Sequence, residues 1–306
     1  EISSRLQNEI DIIINCAAVV SFDASLDEAY HLNILGAKRV SNFANSCIGC
    51  TLVHVSTAYV CGSAIGHVPE SILHGSVQGA GAFPLRAFSD VRLDIGRIEE
   101  IITSVRERAG SPNLERSFKA VLLQRLKRSR SGRTVRRREK IENLRRKWVQ
   151  SQLVKEGMQW ARKRGWNDTY TYTKALGEQM VLQSRENRPT IIIRPSVIES
   201  SFFEPSPGWL DGLRMADPLI AAIGKGRLRS LPLDPEVIID LVPVDMVVNA
   251  LLASIPTAFG AKGIQVYKVA TGSCNSITLG YLYDLIYRYF STNPMLDKSG
   301  APIAIR

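Results

Sequence analysis

The sequence has few cysteines, no long apolar run and no signal-peptide pattern, and each absence excludes a class of protein. Five cysteines in 306 residues are an odd and sparse set, which favours a reducing compartment over a disulfide framework. No run approaches the roughly 18 apolar residues of a membrane-spanning helix. Glu1, Glu9 and Asp11 stand where a signal peptide would be basic and then apolar. We therefore expect a soluble, cytoplasmic, globular protein.

The sequence also lacks the clusters that predict a metal site. The segment Cys47-Ile48-Gly49-Cys50 has C-x-x-C spacing, but neither a second such pair nor an H-E-x-x-H motif accompanies it. We predict no metal site and interpret the two cysteines as buried thiols ahead of a strand. Metal or redox chemistry is the alternative interpretation.

Positive charge is concentrated in one segment. Residues 116–166 contain 18 Lys and Arg against three Glu, a local balance of +15, so the remaining residues carry −5 of the net +10. The segment is either a solvated helical face or a surface for an anionic partner, such as coenzyme A phosphates or an anionic membrane. Nucleic acid is disfavoured, because the few aromatic residues there are mostly at helical spacing for packing.

Apolar runs and helical periodicity alternate along the chain, which predicts an α/β fold. Residues 11–15 and 51–57 are apolar runs typical of parallel strands, and we expect the first to be buried on both faces. Between them, residues 29–44 predict an amphipathic helix that packs through Ala29, Leu32, Leu35 or Gly36, Val40 and Phe43. The later runs predict strands at 190–195 and 265–270 and helices at 246–253 and 279–290. The order indicates a doubly wound, Rossmann-like parallel sheet.

About 75 residues interrupt this pattern. Residues 62–87 are without periodicity and predict a loop, and helical spacing begins at Val91 and again after Ser111-Pro112. A break at 129–134 precedes a long predicted helix from about Val135 to Arg164. We predict that the chain divides into three parts. Residues 1–90 begin the sheet, residues 91–165 form a basic helical insertion, and residues 166–306 complete the sheet and bind substrate.

Tyr170 and Lys174 are the candidate proton-transfer pair. They are four residues apart in a helical segment, so both side chains lie on one helix face, whereas Tyr172 lies on another. An ammonium beside a phenol favours the phenolate and brings the pKa of the phenol closer to neutrality. Ser56 and Thr57 end one predicted strand and Asn15 ends another, and the carboxyl ends of parallel strands form one edge of a sheet.

These motifs follow the order of the extended short-chain dehydrogenase/reductases: Asn-x-Ala-Ala, Ser-Thr, Tyr-x-x-x-Lys and Arg-Pro. More narrowly, INCAAVVSFD, VHVSTAYVCG, GWNDTYTYTKALGEQ, IIIRPSVIESSFFEPSPGW and DLVPVDMVVNALL resemble the fatty acyl-CoA reductases between about Asp11 and Ser254. Thioester reductase domains are near neighbours.

The resemblance implies a role for each matching residue. Tyr170 would donate the proton, Lys174 would tune its pKa and bind the ribose, and Asn33 would be the active-site asparagine. Thr57 would polarise the carbonyl, with Ser56 as its rival. The implied cofactor-binding residues are Asn15, Ala17, Ala18, Thr57, Tyr170, Lys174, Pro195, Ser196, Val197 and Ile198.

The resemblance implies NADPH-dependent reduction of a long-chain fatty acyl-CoA to an aldehyde or an alcohol. The family's glycine-rich phosphate loop is not in this sequence, so we expect a fragment that begins upstream and binds a dinucleotide poorly alone. Two alternatives stay open: a carrier-bound acyl group or nucleotide sugar as substrate, and a non-catalytic binding module that uses the basic segment.

Overall fold

The structure is a computed structural model that describes residues 2–64, 68, 70–71, 91–128, 137–213, 216–228, 230, 232 and 234–305. Most of the predicted 62–87 loop and the predicted 129–134 break lie outside the described residues. The helices are α1 Ile2–Glu9, α2 Leu26–Ala29, α3 Leu35–Ser46, α4 Val91–Ala109, α5 Pro112–Arg128, α6 Arg137–Lys163, α7 Thr169–Arg185, α8 Asp217–Gly224, α9 Val244–Ala258 and α10 Leu279–Thr292. The strands are β1 Ile12–Asn15, β2 Thr51–Val55, β3 Thr190–Pro195, β4 Val197–Glu199, β5 Ile238–Ile239, β6 Leu241–Pro243, β7 Ile264–Val269 and β8 Ile277–Thr278.

The contacts divide the chain into two compact units. The first comprises Glu1–Thr190 and Lys262–Ile264, and the second comprises Ile191–Ala261 and Gln265–Arg306. In the first unit, β1 and β2 are parallel, with Asn15 opposite His54. In the second, β3 neighbours β7, β4 is parallel to β6, and β5 is antiparallel to β8. Parallel strands joined by helices confirm the α/β class.

The prediction that β1 is buried on both faces is wrong, because Ile14 is 45% exposed. A continuous β-branched run indicates a strand, but burial depends on what packs against each face. Asn15, at the end of β1, is buried.

The predicted helix at 29–44 contains a wider π-helical turn at Tyr30–Ile34, which joins α2 to α3. A π turn adds one residue to the helical repeat, so the side chains after it are rotated relative to an ideal helix. Leu32, predicted on the packed side, is therefore 47% exposed, while Asn33 and Ile34 are buried. Ala29 is buried as predicted.

Helices α4 and α6 share one hydrophobic core with α7. Ile98 and Val105 of α4, Leu153 of α6 and Leu176 of α7 are almost completely buried in it. The long predicted helix is confirmed as α6, Arg137–Lys163. The predicted division into three parts stays a prediction.

The two C-x-x-C cysteines are confirmed as buried thiols. Cys47 and Cys50 pack with Ala44, Leu52 and Val181. Among the described residues no group of three or more His, Cys, Asp or Glu is arranged to hold a metal ion. No helix within the described ranges is long and apolar enough to cross a bilayer.

In the second unit, a carboxylate organises the loop that follows β4. Asp245 accepts hydrogen bonds from the backbone N–H groups of Phe202, Phe203 and Glu204 at 2.9, 2.8 and 3.1 Å. The bonds from Phe202 and Phe203 contribute most to lowering the pKa of Asp245 to about 2, because they favour the ionised carboxylate.

Candidate active site

The N-terminus of helix α7, next to the candidate catalytic residue Tyr170, is capped by a side chain. Asp168 is its N-cap, and its carboxylate accepts the backbone N–H of Thr171 at 2.7 Å. Such a cap satisfies an N–H group that has no partner within the helix. The first turn, which carries Tyr170, is therefore held in place.

Tyr170 is half-buried, and its hydroxyl interacts with the Thr57 side chain. Burial is the main reason that the pKa of Tyr170 is raised, while the Thr57 side chain acts in the opposite direction and Asp168 adds to the increase. The direction is opposite to the lowering that we expected from a neighbouring lysine, because burial disfavours the phenolate. The phenol is therefore protonated near neutral pH, as a proton donor must be.

Lys174 is 3% exposed and its Nζ donates to the backbone oxygen of Val55 at 2.7 Å. Burial lowers the pKa of Lys174 to about 8, while the nearby Glu178 and Cys16 act to raise it. A partly protonated lysine at neutral to mildly alkaline pH has N–H donors for a hydroxyl ligand. Its predicted ribose contact stays a prediction.

The adjacent hydroxyls of Ser56 and Thr57 have different partners. Ser56 Oγ donates to Glu178 Oε2 at 2.6 Å in the buried interior. Thr57 instead contacts Tyr170, and its Oγ1 also accepts the backbone N–H of Tyr59 at 3.3 Å. Of the two rival residues, the structure places Thr57 beside the proposed proton donor.

Asn33 hydrogen-bonds to α7. None of its described hydrogen bonds is to the Tyr170 hydroxyl. Its amide accepts from Val19 N at 2.8 Å and donates to Val19 O at 3.2 Å and to Thr173 Oγ1 at 3.0 Å. The side chain thus ties the loop after β1 to the residue before Lys174. Its predicted active-site role stays a prediction.

The π turn and α7 approach each other closely at Gly177. A Cβ atom built on Gly177 would lie 2.1 Å from the backbone oxygen of Asn33. Only glycine allows this approach without displacement of the backbone. Sequence reasoning missed this contact, since Gly177 lies within a helix and has no turn signal.

Two buried polar side chains, one from β1 and one from β2, are in contact at the end of β1. Asn15 contacts His54 Nδ1 at 3.1 Å and accepts the backbone N–H of Ala17 at 3.3 Å. Burial, followed by the charge of Lys174, lowers the pKa of His54 far below its usual value, so the imidazole is neutral. Ala17 is exposed and Ala18 half-buried, which leaves this edge open to a ligand.

The predicted nicotinamide contacts belong to the second unit. Pro195 and Ser196 are buried, and the backbone N–H of Ser196 donates to Val269 O at 3.0 Å. Val197 and Ile198 lie in β4, opposite Leu241 and Val242. Contact of these four residues with the cofactor stays a prediction.

Sequence reasoning also missed Phe22 and Glu178. The Phe22 ring is 47% exposed and meets the Tyr170 ring edge to face, with centroids 5.9 Å apart. Glu178 is 1% exposed and lies one helical turn beyond Lys174. The spacing Lys174-x-x-x-Glu178 was visible as an i,i+4 pair, but only the fold shows that it is buried.

Tyr172 lies on the opposite side of α7, as predicted. It is fully buried, its hydroxyl accepts a hydrogen bond from Trp160 Nε1 at 3.1 Å, and its ring packs 5.3 Å from that of Trp166. Phe118 and Trp148 are also in ring contact, between α5 and α6. The aromatic residues of the basic segment are therefore used in packing, as their spacing predicted.

Comparison with known proteins assigns the chain to a family. A family model described as male sterility protein, an NAD-binding family, matches residues 1–251. The chain belongs to this family. The matched region of this male sterility family member includes the candidate site residues Asn15, Thr57, Tyr170 and Lys174.

The curated relatives of this male sterility family member include plant reductases. Fatty acyl-CoA reductase 1 of Arabidopsis thaliana is 36% identical over 308 residues, covering 100% of this chain and 54% of the relative. The alcohol-forming fatty acyl-CoA reductase of Simmondsia chinensis is 31% identical over 307 residues, covering 99% of this chain and 55% of the relative. The chain thus spans about half the length of the curated relatives it matches.

A solved structure supports the fold. The terminal R domain from the myxalamid PKS-NRPS biosynthetic pathway is similar, with a TM-score of 0.52 and 16% identity over 93% of this chain and 49% of that chain. The described donors fit the nicotinamide-ribose part of the cofactor that defines this NAD-binding family. A phenol, a threonine hydroxyl and a buried ammonium lie around an edge lined by small alanines.

Proposed function

We propose that the full-length protein reduces a long-chain fatty acyl-CoA thioester with NADPH. The observation that carries the proposal is the convergence of Tyr170, Thr57 and the buried Lys174 at the end of β2, in a chain whose curated relatives are fatty acyl-CoA reductases. NADPH, in preference to NADH, is part of the proposal and comes from the family resemblance.

The chain's own residues would stabilise charge and supply a proton. A nicotinamide cofactor, when bound, supplies the hydride that reaches the thioester carbonyl. Thr57 and Tyr170 donate hydrogen bonds to the carbonyl oxygen, where negative charge develops. Lys174 would bind the cofactor ribose and keep positive charge beside the phenol, and Tyr170 can transfer its proton to the alkoxide that forms when the aldehyde is reduced.

The product follows from the order of bond changes. Hydride addition makes a tetrahedral oxyanion, and its collapse restores the carbonyl and expels the coenzyme A thiolate, which leaves an aldehyde. A second hydride, which a second molecule of the nicotinamide cofactor would supply, adds to the aldehyde carbonyl, and the Tyr170 proton completes the alcohol. We propose that both reductions use this site, in keeping with the alcohol-forming relative.

The basic helix α6 would attract an anionic part of the substrate. Arg146, Lys147 and Lys155 are exposed along it, and we propose that these cations increase the rate of encounter with the phosphates of coenzyme A. An anionic membrane surface is the alternative. Charge reversal of Lys147 and Lys155 should raise the KM for palmitoyl-CoA at low salt, with little effect at high salt. Binding to anionic vesicles that the reversal abolishes would favour the membrane instead.

The first test is NADPH oxidation by the full-length protein. Palmitoyl-CoA, a carrier-bound acyl group and a nucleotide sugar are compared as substrates, and turnover of palmitoyl-CoA is expected. Tyr170→Phe should lose most of the turnover with cofactor affinity retained. Tyr172→Phe removes the same atom from the opposite helix face and should keep kcat. Equal losses in both variants would contradict the proposed role of Tyr170.

A further inference from the structure

The last residue of β2 and the residue that follows it each form a hydrogen bond with a buried charged side chain of α7. Val55 O accepts from Lys174 Nζ at 2.7 Å, and the next residue, Ser56, donates from its hydroxyl to Glu178 Oε2 at 2.6 Å. Lys174 and Glu178 are 3% and 1% exposed. Lys174 and Glu178 therefore lie on one helix, and two consecutive residues at the end of β2 hydrogen-bond to their side chains.

A buried ammonium needs compensation for the water that it loses. One carbonyl oxygen is a partial compensation, and a carboxylate at i,i+4 supplies the opposite charge. The carboxylate also loses its water, and the Ser56 hydroxyl replaces part of it with a short, charge-assisted hydrogen bond. The bond further fixes which way the Glu178 carboxylate points.

The other titratable groups around Lys174 do not supply this charge. His54, from β2, is neutral because burial and the lysine both lower its pKa. Cys16, after β1, has its pKa raised by burial, although Lys174 acts against this. Tyr170, on the same helix, is a protonated phenol near neutral pH, because burial raises its pKa. Glu178 is thus the neighbour whose carboxylate favours the lysine ammonium.

We propose that Ser56 and Glu178 are a positioning pair that keeps Lys174 charged and correctly oriented during turnover. This inference rests on the proposed function, in which Lys174 acts as a cation beside Tyr170. It gives Ser56 a role other than that of a second carbonyl-polarising hydroxyl: Ser56 acts on the reaction only through Glu178 and Lys174.

The test compares pH profiles of the full-length protein. Activity should fall as pH rises through the pKa of Lys174, about 8 in this structure. Because Glu178 raises that pKa, Glu178→Gln should move the alkaline limb of kcat/KM to lower pH by about one unit or more. Ser56→Ala should move the limb in the same direction by less, and Ser56→Thr, which retains the hydroxyl, should restore it.

A matched control separates positioning from stability. Ser41 is also a buried serine, and its hydroxyl bonds to Ser184 between α3 and α7. Ser41→Ala should lower the melting temperature without moving the pH profile. If Glu178→Gln does not fold, Ser56→Ala still tests the proposal. An alkaline limb that stays in place in every folded variant of Ser56 and Glu178 would overturn it.

A direct titration distinguishes failure of this inference from failure of the proposed function. The ¹⁵N resonance of Lys174 Nζ, assigned by its loss in Lys174→Arg, reports the lysine pKa without substrate or cofactor. We expect that pKa to fall in Glu178→Gln whether or not palmitoyl-CoA is turned over. An unchanged lysine pKa contradicts the positioning pair, whereas an inactive unsubstituted protein contradicts only the proposed function.

Discussion

The close approach of α7 to the π turn makes a strong prediction about one methyl group. In Gly177→Ala the new Cβ would lie 2.1 Å from Asn33 O, and Cβ contacts essentially never fall below 3.0 Å, so the backbones must separate by about 0.9 Å. Overpacking of this kind costs about 1 to 3 kcal/mol. The substitution also gains about 1 kcal/mol, because alanine is the better helix former.

Gly96→Ala in α4 is the matched control. It makes the same substitution within a helix, and nothing lies within 4 Å of the added Cβ. The gain in helix propensity is common to both variants, so the difference between them isolates the clash. Gly96→Ala should be more stable than the unsubstituted protein by up to about 1 kcal/mol. Gly177→Ala should be less stable than Gly96→Ala by about 1 to 3 kcal/mol.

Urea unfolding of the full-length protein, followed by circular dichroism, measures both changes as shifts in midpoint at constant m-value. The displacement in Gly177→Ala should also weaken the Asn33–Thr173 hydrogen bond beside Lys174, so kcat should fall with it. If Gly177→Ala unfolds at the same urea concentration as Gly96→Ala, the close approach described here is wrong.

Three further substitutions test other contacts. Tyr172→Phe should lower stability by about 1 kcal/mol, because the Trp160 indole N–H loses its acceptor, whereas kcat should not change; a loss of turnover at full stability would contradict this. Asp168→Ala removes the cap of α7, so both stability, by about 1 kcal/mol, and kcat should decrease, and asparagine, which retains a capping oxygen, should restore part of both. Asp245 has its pKa lowered to about 2, so its contribution to stability is complete above its unfolded pKa and is lost as pH falls through about 2. Asp245→Asn should therefore flatten the loss of stability between about pH 4 and pH 2, measured by thermal unfolding across that range.

The strands and helices of the site were predictable because local pattern determines them. Apolar runs ending in Asn15 and in Ser56-Thr57 specify strand ends, and Tyr170 and Lys174 at i,i+4 specify one helix face. The structure places α7 beside the end of β2.

Other parts of the site depend on tertiary contacts that a single sequence does not specify. Ser56 and Thr57 are chemically similar neighbours, and only the position of α7 decides which one meets Tyr170. Periodicity cannot reveal the π turn that buries Asn33, since one extra residue per turn leaves no composition signal. Burial likewise reversed the expected direction of the Tyr170 pKa shift, because the sequence shows a neighbouring charge but not the loss of solvent.

The end of β2 contacts α7 on three successive turns: Thr57 at Tyr170, Val55 at Lys174 and Ser56 at Glu178. Contacts at three points restrain the tilt of β2 and α7 against each other, so a backbone shift at one contact would also displace the other two. A substitution that displaces the backbone at this junction would therefore affect all three residues of α7, whereas one that keeps the contacts would not. We expect divergence in substrate range among relatives to have arisen in residues outside this junction.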